Sequence, residues 1–400
     1  MLTRRYFLRS SAIAVAGMGA APSWLLRAAS PQEKKRKILI SIFQRGAADG
    51  LNIVVPFFDK RYYDMRPTIA VPQPGKPNGA IDLDGRFALH PSLQQLKPLW
   101  DSGQLAIVEA TGSPDPNRSH FEAQDQMESG TPGKTMEDGW LNRSLARATP
   151  ATSPVRAVAI GAKMPRTLRG NCNAVAVNDV QQFQVGNPGA ASILESMYAS
   201  TADTQLASQG KETFEALRLI ESINKTPYTP VNGVQYNGEF GNALRQIARL
   251  IKANVGVEAA FAEIGGWDHH SNEPGQLAPL LTQFGNALAA FARDMGERMQ
   301  DITLVTMSEF GRTAREDGNS GTDHGHGNVM FVLGGPVRGG KIFGQWPGLE
   351  TEQLYEKRDL AVTTDFRSVL GELVSGHLGQ KTDQVFPGFK IGEPLGLLKT

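Results

Sequence analysis

Six short apolar runs punctuate the chain: ILISIF (38–43), QLAIVEATG (104–112), VRAVAIG (155–161), VEAAFAEIGG (257–266), ITLVTMSEF (302–310) and NVMFVLGG (328–335). They are brief and continuous rather than alternating, which predicts strands covered on both faces. Between them lie stretches with apolar residues at helical spacing: PSLQQLKPLWDSG (91–103), NALRQIARLIKANVG (242–256) and LAPLLTQFGNALAAFARDMGERM (277–299). Strands alternating with helices predict an α/β fold with a mostly parallel central sheet and helices on both faces. The stretch 185–235, rich in small and polar residues around KETFEALRLIESI (211–223), reads as a helical insertion. TTDFRSVLGELVSGHLG (363–379) predicts a helix capped by Thr364 or Asp365 and ended by Gly376 or Gly379. No linker or internal repeat stands out, so a single α/β domain over residues 35–395 is the simplest account.

Composition narrows the partners. With 41 basic and 40 acidic residues, a formal charge of +1 and 40% hydrophobic residues, the chain lacks the electrostatic footprint of a nucleic-acid binder. Its one cysteine, Cys172, excludes an internal disulfide framework and a cysteine-rich metal site, so any metal needs oxygen and nitrogen ligands.

The N-terminus, MLTRRYFLRSSAIAVAGMGAAPSWLLRAAS, pairs Arg4 with Arg5 ahead of a mildly apolar run from Ser11 to Leu26. That is a twin-arginine export signal over residues 1–29, with an apolar run too short and weak for a stable membrane span. It predicts a periplasmic or otherwise exported protein and names the twin-arginine machinery as a partner. Cleavage after residue 28 removes four arginines and no acids, taking +1 to −3.

The candidate chemistry is concentrated. Five of the seven histidines fall in three motifs that also hold acids: NRSHFEAQD (117–125), GGWDHHSN (265–272) and GTDHGHG (321–327). Asp49 in QRGAADGLN (44–52) and Glu309 in MSEFGRT (307–313) follow predicted strands. Ligands of open α/β sheets bind beyond the carboxyl ends of the strands, where these motifs converge. Asp49, Asp268, His270, Glu309, Asp323, His324 and His326 are the candidate metal ligands, with His269 a further possibility. Four carboxylates gathered in one place call for a cation: one or two divalent ions from zinc, manganese, magnesium or calcium. The glycines of GTDHGHG would let its backbone bend so that the side chains face one point.

Each piece also has a plain structural reading. Asp49 can make a turn, Glu309 can pair with Arg312 or Arg315, and Asp268 can cap a helix. Ser119 begins SHFE, which fits a capping box closed by Glu122, while a serine at a helix N-terminus is also a place for a nucleophile. Metals flanked by Ser119 and by Arg45, Arg118 and Arg312 suit transfer of a tetrahedral anionic group. Trp140 and Trp267 offer a third reading, as platforms for a carbohydrate.

The combination FQRGAADGLN, TGSPDPNRSHFEAQD, GWLNR, GGWDHH, MSEFGRT and GTDHGHGNVMFVLGG resembles the exported bacterial family known as domain of unknown function 1501, in order along nearly the whole mature chain. That family is similar in pattern to the alkaline phosphatase superfamily, including sulfatases. The resemblance implies an alkaline-phosphatase-like fold, with Asp49 as the first-strand aspartate, Asp268 and His270 as a later ligand pair, and Ser119 near the nucleophile. It leaves two registrations open: Asp323–His324 resembles the superfamily's DHG signature, yet Glu309 stands where that signature usually falls, with His324 or His326 then the last ligand. The Cys-x-Pro-x-Arg stretch that yields formylglycine is absent, which removes that class of sulfatase. The implied activity is hydrolysis of a small anionic ester, a phosphate or sulfate, by Ser119 or a metal-bound water, with Arg118 or Arg312 holding the anion. The alternative is a non-catalytic, metal-stabilised binding or accessory protein of the cell envelope.

Overall fold

The computed structural model describes residues 36–134, 136–145, 152–183 and 188–399. The export signal lies outside the described residues. A nine-stranded sheet runs through the molecule in the order β11-β5-β10-β9-β1-β8-β6-β7, with β12 also paired to β5. Its strands are β1 (Ile38–Gln44), β5 (Leu105–Gly112), β6 (Ala157–Ile160), β7 (Val175–Val177), β8 (Ala259–Ile264), β9 (Ile302–Met307), β10 (Asn328–Gly334), β11 (Lys341–Phe343) and β12 (Thr364–Asp365). β2 (Val54–Val55), β3 (Ile81–Asp82) and β4 (Ala88–Leu89) form a separate three-stranded sheet.

Burial on both faces explains the unbroken apolar runs. In β1, Ile38, Ile40 and Ile42 face one hydrophobic cluster while Leu39 and Phe43 face another. The same division holds in β9, with Ile302 and Leu304 opposite Val305 and Met307. The first cluster is closed by the helices Thr204–Asn224, Gly238–Lys252 and Glu273–Met295, which contribute Leu219, Leu244, Ile247, Leu281, Phe284 and Leu288. The second is closed by the helices His120–Ser129 and Phe366–Gly376, through Met127, Phe366, Val369 and Leu373. Asp365 caps the latter, accepting from the Arg367 amide at 2.9 Å. Residues 185–235 hold the helices Pro188–Ser200 and Thr204–Asn224.

The sheet is parallel except at β10, which runs antiparallel to both β9 and β5. β9 returns into β10 through residues 308–327 with no crossover helix, and a direct return forces the antiparallel pairing. The start of β10 therefore lies at the edge where β1, β5, β8 and β9 end. One reversal brings five motif-bearing segments to the same side of the sheet.

Two buried histidines tie down the periphery. His377 Nε2 donates to the carbonyl of Ile38 at 2.9 Å, and His90 Nδ1 accepts from the Ser92 amide at 3.1 Å. Burial pushes each from the ordinary 6.5 to about 4. The unfolded chain takes up these protons first, so the stability present above pH 6.5 is lost as the pH falls towards 4. The expected slope is up to about 1.4 kcal/mol per pH unit for each histidine. Urea unfolding at pH 7 and pH 5 measures it, and the double variant His90→Asn, His377→Gln should flatten the difference.

Candidate functional site

Three loops at the carboxyl edge pack backbone against backbone. Gly46 has φ +120°, and a Cβ there would stand 2.7 Å from the Asp268 amide. At Gly321 a Cβ would come within 2.3 Å of the His270 main chain. The glycine that opens GTDHGHG thus permits close approach to the WDHH loop rather than a bend. Beneath that loop, Trp267 is fully buried, edge-on to Phe284 with ring centres 5.8 Å apart. Trp140 is also fully buried, so neither tryptophan is a platform for a ligand.

At this junction His120 and His270 each turn Nε2 towards that of His324. His324 Nε2 lies 3.0 Å from that of His120 and 3.1 Å from that of His270. The Asp268 carboxylate joins them, at 3.4 Å from His120 Nε2, 2.8 Å from His270 Nε2 and 3.3 Å from His324 Nε2. Asp323 stands beside them, its Oδ1 3.9 Å from His270 Nδ1. The ring of Phe310 lies beside both His120 and His324, at 5.0 and 5.1 Å between centres.

The outer nitrogens settle which protons are present. His120 Nδ1 meets Glu309 Oε1 at 2.8 Å, and His324 Nδ1 meets the carbonyl of Arg118 at 3.0 Å. Both partners accept only, so each Nδ1 is the protonated nitrogen. In the neutral rings two Nε2 lone pairs then face each other, a contact that a cation relieves.

Glu309 is itself fully buried and accepts from Gln124 Nε2, the Gly46 amide and Ser308 Oγ. Burial favours its neutral form, but these donors and His120 hold it below the usual carboxylate range, and Glu309 in turn raises His120. Burial lowers His324, with the charges of His120 and Arg312 adding to the effect. Burial works against an ionised Asp268, yet Arg312 Nη1, donating at 2.7 Å, keeps it below the ordinary value.

Groups of His120, Asp268 and His324, and of His270, Asp323 and His324, each bring ligand atoms within 4.8 Å of one another. A tetrahedral zinc site, with metal–ligand bonds near 2.1 Å, separates its ligand atoms by about 3.4 Å. Around His120, Asp268 and His324 the separations of 3.0–3.4 Å come near that spacing, while Asp268 and His270, at 2.8 Å, stand at hydrogen-bond distance.

Other candidates lie elsewhere. Asp49 is buried in a two-pronged pair with Arg66, at 2.5 and 3.1 Å. Arg66 also donates to the carbonyls of Thr313 and Ala314. His326 stacks on Tyr355, ring centres 4.4 Å apart, and burial pushes it down to about 4. His269 is buried outside the cluster. Glu309 stands behind His120 rather than among the converging Nε2 atoms. Arg118 pairs with Glu356 and Asp359 at 2.7 and 2.6 Å, Arg312 with Asp268 and Thr322, and Arg45 with Glu128 and Glu263. Ser119 is exposed at the N-cap of the helix His120–Ser129 and makes no capping bond, while Glu122 accepts from Asn117 instead. The capping box is not formed. His120 itself was not among the expected ligands, although NRSHFEAQD placed it beside acids one position after Ser119.

The family described as "Protein of unknown function (DUF1501)" matches residues 36–384. No curated protein matches the chain. Solved structures similar to it include the lipoteichoic acid synthase LtaP from Listeria monocytogenes, at 10% identity and a TM-score of 0.39, covering 91% of this chain and 76% of that one. A sulfatase from Pseudoalteromonas sp. is 10% identical with a TM-score of 0.37, over 95% of this chain and 78% of that one. The alkaline phosphatase of the Antarctic bacterium TAB5 is 12% identical with a TM-score of 0.31, over 76% and 93%.

If Asp49 is structural, Asp49→Asn strands the Arg66 charge in the core and should cost about 3–5 kcal/mol. Urea unfolding measures that loss, and metal analysis of the folded protein should find no change. Metal loss at unchanged stability would instead make Asp49 a ligand.

Proposed function

The chain belongs to the DUF1501 family, and from the site it carries we propose that it is an exported, divalent-metal-dependent hydrolase of phosphate or sulfate esters. What supports this most is the approach of the His120 and His270 Nε2 atoms to that of His324, with the Asp268 carboxylate beside all three. One proton relieves a single facing pair, whereas a metal ion satisfies every donor. His120, Asp268 and His324 would hold one ion, and His270 and Asp323, with His324 between the two groups, a second position. Glu309 and the Arg118 carbonyl make the outer contacts that orient metal-binding imidazoles. A donor set this rich in imidazole suits zinc better than magnesium or calcium. A divalent ion there would polarise the ester oxygens and oppose the negative charge that grows in the transition state.

Ser119 is the nucleophile this chain offers. Its hydroxyl is exposed, free of the capping role and one residue from His120. It also stands at the positive end of the helix His120–Ser129, where first-turn amides favour developing negative charge. The Arg4–Arg5 leader supports export, and no helix among the described residues is long and apolar enough to cross a membrane.

One observation favours a second reading. Arg118 and Arg312, the arginines expected to hold an anion, are both engaged by acids of the protein itself. A metal-stabilised binding or accessory protein of the envelope would look the same at these positions.

Metal analysis together with a panel of phosphomonoester, phosphodiester and sulfate ester substrates separates the readings. The hydrolase should hold at least one ion per chain and turn over an ester. Ser119→Ala should lower kcat roughly 10³-fold or more with metal retained, while costing under about 1 kcal/mol because no cap bond is lost. Bound metal without turnover of any ester would leave the accessory role. Glu309→Gln should weaken metal affinity about 10–100-fold, read by competition with a chelator.

A further inference from the structure

A cavity of about 380 Å³ opens beside the histidine cluster, walled in part by Asp323, Arg358, Arg315, Lys357 and Glu316. That size lies at the small end of ligand pockets. A second cavity, of about 100 Å³, lies by Ile38 and Ile302, where β1 and β9 begin, at the opposite edge from the chemistry. The larger cavity shares a wall with the cluster. Arg358 Nη2 donates to Asp323 Oδ2 at 2.9 Å and to the His324 carbonyl at 2.8 Å.

Its charges are unevenly used. Glu316 accepts from the amide and hydroxyl of Thr68 and from the Ile69 amide. Asp317 accepts from the amides of Asn319 and Gly321, and Asp323 is paired with Arg358. Among the described residues, the exposed side chains of Arg315 and Lys357 have no such partner. The wall is also strained: Glu356 and Lys357, neither a glycine, follow one another in the left-handed region at φ 53° and 57°. That conformation is unfavourable for side-chain-bearing residues and collects at functional sites. Here it sends Glu356 to Arg118 at 2.7 Å and Lys357 to the cavity wall. The lining balances three acids against three bases, but the acids' oxygens are taken up by the protein's own donors, which leaves Arg315 and Lys357 as the groups with open donors for an anion.

We infer that this cavity receives a second anionic group of the substrate, a carboxylate, phosphate or sulfate set apart from the ester acted on at the histidines. The inference rests on the proposed hydrolase for the ester, and on Arg315, Lys357 and the strained turn for the second anion.

Two measurements on the full chain as purified test it. Inorganic phosphate titrated calorimetrically should lose one binding site per chain in Arg315→Ala, Lys357→Ala, with melting confirming the fold and Arg315→Gln, Lys357→Gln behaving alike. A loss of one site supports the compartment whether or not an ion occupies the histidines, and an unchanged count overturns it. Next, an aryl phosphate is compared with the same ester bearing a ring carboxylate. The double variant should raise KM about tenfold for the carboxylate ester alone, as expected for about 1.4 kcal/mol of lost contact. An equal effect on both esters, or none, overturns the assignment to a second substrate anion, and loss of phosphate binding would then mark a site for free anion. Turnover of neither ester by the unaltered protein would defeat the hydrolase reading, and the phosphate count would still decide the compartment.

Discussion

One buried carboxylate holds the edge of the sheet together. Glu309, just past β9, accepts from the Gly46 amide after β1, from His120 and Gln124 after β5, and from its neighbour Ser308. An ionised acid with no exposure is costly unless its lone pairs are filled, and here donors from the loop after β1, the helix His120–Ser129 and its own segment fill them. Because the acid cannot turn without abandoning those donors, the His120 ring cannot turn either. The direction of His120 Nε2, and through it the approach of His324, follows from that fixed acid.

Backbone packing supplies the rest of the constraint. The segment 308–327 leaves β9, doubles back and enters β10, with the Gly325 amide donating to the Gly311 carbonyl and the Gly311 amide to the His326 carbonyl. These internal bonds make it a rigid small hairpin rather than a loose loop. Gly321 then lets the hairpin meet the WDHH loop at a distance no side chain would allow. His270 and His324, 54 positions apart, are neighbours because two main chains touch.

The arginines of this region serve the scaffold first. Arg66 fastens Asp49 to the carbonyls beyond Arg312, and Arg312 fastens Asp268 to Thr322. Thr322 continues to Glu273, and Glu273 to Asn52, so a polar chain runs from the edge of the histidine cluster into the core. Such a chain gives the cluster rigid backing, which a preorganised site requires. The free positive charge lies farther out, on Arg315 and Lys357.

The sequence by itself determined the six principal strands, the helices that cover them and the convergence of WDHH, GTDHGHG and NRSHFEAQD at one edge. Apolar period, caps and strand ends are local signals, and β1 shows them plainly: a residue whose neighbours are all apolar is buried wherever the strand is placed. Only the tertiary structure decided the partners. Asp49 and Asp268 look equally suitable in one dimension, but Arg66, 17 positions on, claims the first and the histidines surround the second. His326 and His324 are two residues apart, yet Tyr355 covers one and His120 meets the other. Glu309 reads as a ligand until His120 is seen standing in front of it. The direction of β10 was equally hidden, since a run of apolar residues has no sense of parallel or antiparallel. A side chain's partner depends on which distant loops the fold sets beside it, and that information is carried by the packing of the whole sheet rather than by any stretch of the chain.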